Sequence, residues 1–374
     1  MLDRAKLFKE ITRVSDALFI SYTDEYACAR AVWQRITTDP SFADNVIAQQ
    51  WSLPIPAWSG PLDATYDITE ASAIYRVIAV DGSQIYPDRH QGTSCYLINV
   101  GCIVLNYGAT DSYAQVATEP YVFTGDEDAA FLASSTDIVN ALREAYEFEA
   151  GLARALRERE TATDGMALLF DGSLIFWHLE SKDASFKTYF INRYVTTLTA
   201  LHEHHILYAA YVSMPRHREV SNLLRLALCN FDCTKQEAYA AIEHVTDAAV
   251  MNFFLQPGQR STVFAYTGSL RALYPEPTRP HFFYLNTGYE IGRVEIPAWI
   301  ARNQAACDCI ASILLDQARK GHGYPVALAE AHEQAVVKGP DRDFFYQVIT
   351  KYALQQKKRI EISPKSMKKR SIGI

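Results

Sequence analysis

A short apolar stretch that runs into Asp-Gly-Ser occurs twice in this chain of 374 residues. The first copy occupies residues 77–83 and the second residues 166–173. Each copy predicts a short buried strand with a carboxylate at its C-terminal end, and the glycine that follows permits a sharp turn or a close backbone approach. A single copy indicates only an Asp-Gly turn. Two such strands in one sheet would place Asp81 and Asp171 side by side, which is how oxygen ligands hold a hard divalent cation.

The rest of the chain alternates strand-like and helix-like segments, which predicts an α/β fold in which helices cover a sheet. Residues 1 to about 50 have helical spacing. The predicted strands cover residues 74–80, 94–106 (one bent strand or two), 121–123, 206–213, 281–286 and 293–295. The predicted later helices cover residues 137–159, 186–202, 220–229, 299–318, 326–337 and 343–356.

Composition and charge exclude several classes of protein. Apolar residues make up 49% and charged residues 21%, which is typical of a globular protein rather than a disordered chain or a coiled coil. The net charge of −7 argues against a protein that coats DNA without acting on it. No apolar run approaches the roughly 20 residues that span a bilayer. The seven cysteines include no CxxC pair, so we expect reduced thiols in a cytoplasmic protein with no membrane segment.

Two carboxylates that lie close together repel unless a cation neutralises them, so a third acid is expected beside Asp81 and Asp171. The predicted helix before the second strand offers Glu144 and Glu147 on one face, whereas Glu149 points elsewhere. The residues themselves leave Glu144 and Glu147 both open. Carboxylate ligands suit Mn²⁺ or Mg²⁺ and favour phosphoryl chemistry.

Other segments supply further candidates. Tyr324 and His332 flank the start of a predicted helix and are separated by roughly 12 Å at the helical rise, so both could line one cleft. A lone histidine on such a helix is more often structural. Arg216 and Arg218 in a basic loop, and Arg260 after a Pro-Gly turn, are candidate DNA contacts, although solvated loops of this kind are common.

Taken in order, these motifs resemble the NurA family of prokaryotic DNA-repair nucleases from about residue 70 to about residue 360. The resemblance rests on both Asp-Gly-Ser stretches and on the glutamate-bearing helix between them. It continues through Pro257-Gly258-Gln259-Arg260-Ser261 and ends with the segment from Tyr324-Pro325 to Ala331-His332.

The resemblance implies a ribonuclease-H-like core with a mixed sheet and manganese-dependent hydrolysis of DNA. Asp81, Glu147 and Asp171 would be metal ligands, His332 a further ligand or a general base, and Tyr324 a residue that positions the scissile phosphate or the water. The family further implies 5′→3′ exonuclease and single-strand endonuclease activity, a homodimer, and work with a HerA-type hexameric ATPase in end resection.

The domain organisation follows from the extent of this resemblance. We expect an N-terminal helical extension over residues 1–60, the nuclease domain over residues 70–356 and a basic tail over residues 357–374. Two alternatives differ in class. One is a catalytically silent nuclease fold that serves as a scaffold for a partner ATPase, and the other is an actin-like ATPase, which also uses two strand–Asp–Gly turns.

Overall fold

A mixed β-sheet runs through the whole computed structural model, which describes residues 2–18, 21–49, 51–71, 74–108, 111–125, 135–161, 165–232 and 236–358. The strands are β1 (Thr65–Asp67), β2 (Tyr75–Ile85), β3 (Tyr96–Tyr107), β4 (Tyr113–Phe123), β5 (Met166–Asp171), β6 (Leu207–Val212), β7 (Gln259–Ser261), β8 (Phe264–Ala265), β9 (Pro280–Asn286) and β10 (Ile291–Pro297).

The helices of the described residues include those that cover both faces of this sheet. They are α1 (Arg4–Leu18), α2 (Thr23–Thr38), α3 (Phe42–Ile47), α4 (Ser135–Arg159), α5 (Ala184–Glu203), α6 (Glu219–Leu228), α7 (Asp247–Met251), α8 (Ala298–Ala301), α9 (Gln304–Lys320), α10 (Val326–Ala335) and α11 (Gly339–Gln355).

The strand order is β1-β7-β9-β10-β6-β5-β2-β3-β4, with β8 paired to β9. Strands β2, β3 and β4 form an antiparallel meander. Strand β5 then pairs in parallel with β2, and β6 pairs in parallel with β5. Because parallel strands end at the same edge, the C-terminal end of β5 lies beside the middle of β2, where the two Asp-Gly-Ser sequences meet, and the C-terminal end of β6 lies at the same level on the other side of β5.

Alternating side chains send the strands' apolar residues into two separate cores. On β2, Ile78 and Val80 pack with α4 and α5, whereas Val77 and Ala79 pack with α9 and α10. A third core joins α2 and α3 to α6, α7 and the far strands of the sheet, so these two N-terminal helices contact the main body through Trp33 and its neighbours. The predicted arrangement of a mixed sheet flanked by helices is confirmed.

The element boundaries differ from the prediction in two informative places. Strand β2 does not end at Asp81 but continues in register with β3 as far as Ile85, because backbone pairing with β3 persists through the Asp-Gly-Ser sequence. The single helix expected over residues 299–318 is two helices, because Asn303 caps a new helix by accepting a hydrogen bond from the Ala306 amide.

The basic tail was expected over residues 357–374. Most of it, residues 359–374, lies outside the described residues. No helix in the described ranges is long and apolar enough to cross a bilayer.

Helix α10 lies directly on strand β3 at Gly101. A Cβ atom placed at this position would be 2.5 Å from the Ala335 backbone nitrogen and 2.8 Å from the Ala331 carbonyl oxygen. Backbone atoms cannot move aside as a flexible side chain can, so this strand position requires glycine. The contact sets the height of α10, and therefore of His332, above the sheet.

We expect Gly101→Ala to reduce the free energy of unfolding by roughly 1–3 kcal/mol, the usual cost of overpacking, measured by urea denaturation. Gly339→Ala is the control, because a Cβ atom at Gly339 meets nothing within 4 Å. Equal urea midpoints for the two variants would contradict the packing argument.

Candidate active site

Two aspartates occupy neighbouring positions on adjacent strands. The β2–β5 register pairs Val80 with Phe170, so the next residues, Asp81 and Asp171, lie side by side. Side chains alternate between the two faces of the sheet, and both aspartates lie on the face that α10 covers. His332 on α10 places its Nδ1 2.7 Å from Asp81 Oδ2.

A third acid reaches the same place from the opposite face of the sheet. Gly82 on β2 faces α4, and a Cβ atom there would lie 2.5 Å from Glu147 Oε1 and 2.8 Å from Arg143 Cγ. The second residue of the Asp-Gly-Ser sequence therefore serves here as a gap for the Glu147 side chain rather than as a turn. In the second copy, Gly172 has a φ of +102° and forms the turn that was expected.

In this cleft, burial and repulsion between neighbouring carboxylates make the ionised form of the acids unfavourable. Burial raises the pKa of Glu147 to about 8, with Arg143 opposing this effect and Asp81 adding to it. Burial also raises the pKa of Asp171; a hydrogen bond donated by the Tyr324 hydroxyl opposes it, and the neighbouring Asp81 adds to it. The cleft is therefore deficient in positive charge.

Arg143 supplies part of the missing positive charge. Its guanidinium forms an ion pair with Glu147, and its Nη1 lies 4.0 Å from Asp81 Oδ1. Within the described ranges, no three His, Cys, Asp or Glu side chains form a ready-made metal cage. The chemistry of the donors nevertheless fits a hard divalent ion, because Asp81, Glu147 and Asp171 offer oxygen ligands and His332 an imidazole nitrogen.

The other helix acids have different partners. Glu144 lies one turn before Glu147, and its Oε2 is 3.2 Å from His178 Nε2. Burial raises the pKa of Glu144 to about 7 and lowers that of His178 to about 4. Glu149 pairs with Arg193 through two hydrogen bonds. Of the two glutamates that the sequence left open, only Glu147 lies against Gly82 of β2.

The predicted DNA contacts fall into two groups. Arg216 and Arg218 are exposed in the loop between β6 and α6. Arg260 is fully buried, forms a 2.9 Å ion pair with Asp308 and lies over the Tyr66 ring. A buried guanidinium cannot contact DNA, so the expectation for Arg260 is corrected: its role is to join β7 to α9.

A buried ionic network, which the sequence analysis missed, anchors the segment after Asp171. Glu295 on β10 accepts hydrogen bonds from the Ser173 hydroxyl at 2.7 Å and the Leu174 amide at 2.8 Å. The same carboxylate pairs with Arg293, which also pairs with Glu219. All three charged side chains are almost completely buried. The available signal was a pair of opposite charges two residues apart in an apolar strand.

Comparisons with known proteins identify the family. The domain model described as "NurA domain" matches residues 75–337, which is more than half of the chain. The chain belongs to the NurA family. This confirms the resemblance found in the sequence, and NurA proteins are nucleases. No curated protein matches the chain.

Solved NurA structures are similar to the chain at low identity. The "Crystal structure of NurA with manganese" is 12% identical, with a TM-score of 0.40, over 91% of this chain and 98% of that one. The "Crystal structure of NurA bound to dAMP and manganese" is 13% identical, with a TM-score of 0.39, over 90% and 94%. The assignment to the NurA family depends on the domain model alone.

The buried network around Glu295 leads to a prediction about the stability of the fold. We expect Glu295→Ala to lower the free energy of unfolding by about 3–5 kcal/mol, because it leaves Arg293 buried with one partner fewer. Ser173→Ala should cost only about 1 kcal/mol, since it removes a hydroxyl and no charge. Both values come from urea denaturation followed by circular dichroism.

Glu276→Ala is the control, since it breaks an exposed ion pair with Arg302 and should cost at most about 1 kcal/mol. If Glu295→Ala is no more destabilising than this control, the buried network does not stabilise the fold.

Proposed function

We propose that this NurA-family protein is a metal-dependent deoxyribonuclease that hydrolyses phosphodiester bonds. One observation carries the proposal: three carboxylates, from two strands and a helix, meet beside an imidazole and leave negative charge only partly neutralised. A cleft of this kind favours a divalent cation and, through it, the phosphate of a nucleic acid.

Asp81, Glu147 and Asp171 would hold Mn²⁺ or Mg²⁺, which when bound polarises the phosphodiester and lowers the pKa of a water molecule. His332 is bonded to Asp81 through Nδ1, so Nε2 is the ring nitrogen that remains to accept a proton or to act as a further ligand. The Tyr324 hydroxyl lies beside Asp171 and opposes the rise in the pKa of that carboxyl, and Tyr324 would position the scissile phosphate or the water.

The proposal includes a ribonuclease-H-like core. Its support is the strand order, in which the antiparallel meander β2–β3–β4 is followed by β5 and β6 in parallel on the other side of β2. In this arrangement the central strand and its parallel neighbour each contribute an acid. The helix that connects the meander to β5 contributes Glu147.

We extend the proposal to biological role on the strength of family membership. The enzyme would act as a 5′→3′ exonuclease and single-strand endonuclease, as a homodimer in the cytoplasm, with a HerA-type hexameric ATPase in double-strand break end resection. Arg216 and Arg218 are exposed at the cleft's edge of the sheet, just beyond β6, and are proposed to contact the DNA backbone.

One observation favours a second candidate, a catalytically silent scaffold for the ATPase. Arg143 already pairs with Glu147 and lies near Asp81, so a cation is built into the cleft. In an enzyme, the metal would take over this neutralising role. In a scaffold, Arg143 would be the permanent counter-ion and no divalent ion would bind.

The decisive test is digestion of end-labelled single- and double-stranded DNA with Mn²⁺, Mg²⁺, Ca²⁺ or EDTA. Wild type should degrade DNA with Mn²⁺ or Mg²⁺. Asp171→Asn should lower the rate by about 100-fold or more, on the scale of groups that act on the transition state. Asp63→Asn, the same change at an exposed position, should leave the rate unaltered. A wild type that cleaves nothing under any ion would overturn the nuclease proposal.

Metal binding can be measured without catalysis. Mn²⁺ should raise the thermal unfolding temperature of wild type, since a ligand present at 100 times its Kd adds about 2.7 kcal/mol to the free energy of unfolding. Asp81→Asn should show little or none of this increase, because it removes the carboxylate between Asp171 and His332. An equal increase in both proteins would place the ion elsewhere.

A further inference from the structure

An exposed aromatic side chain lies next to the candidate active site. Tyr289, on the turn between β9 and β10, is 61% exposed. Its Cβ and Cγ would be 3.3 Å from a Cβ atom placed at Gly323. The next residue is Tyr324, whose hydroxyl donates to Asp171. The glycine against which Tyr289 packs, Gly323, therefore directly precedes Tyr324, a residue of the candidate site.

The turn that carries Tyr289 lies at the same edge of the sheet as the acids. Strand β10 runs antiparallel to β6, with Arg293 opposite Val212, so the residues before β10 lie beyond the C-terminal end of β6. Tyr211 on β6 is the register partner of Asp171. The Tyr211 hydroxyl donates at 2.7 Å to Glu290, the residue after Tyr289.

The turn is held rigidly by its own polar groups. The Thr287 amide donates to the Glu290 carbonyl at 3.0 Å, and the Thr287 hydroxyl accepts from the amides of Tyr289 and Glu290. The Asn286 side chain accepts from the Gly288 amide and donates to the Leu255 carbonyl. Asn286 and Thr287 are both buried. A rigid turn presents the Tyr289 ring without the entropic cost of ordering a loop on binding.

The charges around Tyr289 are compatible with a nucleic acid. The neighbouring acid, Glu290, accepts hydrogen bonds from Tyr211, from the Ser213 hydroxyl at 2.9 Å and from the Met214 amide at 2.8 Å, so its charge is engaged in fixing the adjacent loop. That loop continues to Arg216, which is exposed. An open aromatic face beside a basic loop and a phosphodiester-cleaving cleft is the arrangement by which proteins bind single strands.

We propose that the Tyr289 ring is a base-stacking subsite, which takes the nucleobase of a single-stranded segment next to the scissile phosphate. This inference rests on the proposed nuclease function and adds a binding element to it. Stacking on one face of the phenol ring holds the strand without reading its sequence, because every base has a π face. The stacked base fixes the position of the phosphate relative to Asp171 and Tyr324.

The test is a thermodynamic cycle in which both the protein and the DNA are changed. The affinity of a labelled oligothymidylate is measured by fluorescence anisotropy in EDTA, so that no cleavage occurs. A set of strands with a single abasic residue at each position in turn is measured alongside. Wild type should show one position where the abasic residue weakens binding by about 5- to 20-fold, at the lower end of the effect of stacking on an aromatic side chain.

Tyr289→Ala should bind the intact strand about 5- to 20-fold more weakly and should no longer distinguish the abasic strand at that position. The two changes remove the same contact, so their effects do not add. Tyr289→Phe should restore both the affinity and the abasic penalty, because stacking needs the ring and not the hydroxyl. Tyr352→Ala on α11, a tyrosine that is 62% exposed, is the control and should behave as wild type.

An abasic penalty that persists in Tyr289→Ala would overturn the inference, as would a wild type with no sensitive position. These outcomes are separable from failure of the nuclease proposal, which is judged from hydrolysis of bis(p-nitrophenyl) phosphate by wild type with Mn²⁺. That substrate has no base to stack. Hydrolysis of it without an abasic-sensitive position would retain the nuclease and reject the stacking subsite.

Discussion

The close approach of helix α4 to strand β2 at Gly82 is the contact on which the candidate site depends. The acids of β2 and β5 lie on the face covered by α10, whereas Glu147 belongs to the helix on the opposite face. The Glu147 carboxylate can approach β2 beside Asp81 only because residue 82 has no side chain. Gly101 has the matching role for α10 and thereby for His332. Two glycines therefore determine how closely helices from both faces approach one strand.

Buried charge is the second constraint. Around the Asp171 segment, Arg293 pairs with both Glu219 and Glu295, and Glu295 also accepts hydrogen bonds from Ser173 and Leu174, which anchors the backbone. In the cleft, Arg143 opposes only part of the charge, and the pKa of Glu147 stays raised. An incompletely neutralised group of carboxylates costs stability, and such unfavourable arrangements are typical of sites that bind a cation.

Much of the fold was predictable, because the apolar periodicity of the strands and helices is strong. The helix over residues 137–159 and the strand over residues 206–213 appear within two residues of their predicted ends. The errors arise where tertiary contacts override local signals. Pairing with β3 carries β2 through a sequence that resembles a turn, and burial against Asp308 removes Arg260 from the surface. Neither effect is visible in the sequence around those residues.

The sequence by itself determined the family, the mixed α/β architecture and the candidate acids, since these depend on local patterns and on the order of motifs. The roles of Asp81, Glu147, Asp171, Tyr324 and His332 stay predictions, although the structure brings these side chains near one another. Only the tertiary structure decided that Glu147 rather than Glu144 lies against Gly82, that Arg143 shares the cleft and that Tyr289 borders it. These features depend on which residues come into contact across the sheet. Those contacts are determined by strand register and by the distance of each helix from the sheet, and not by spacing along the chain.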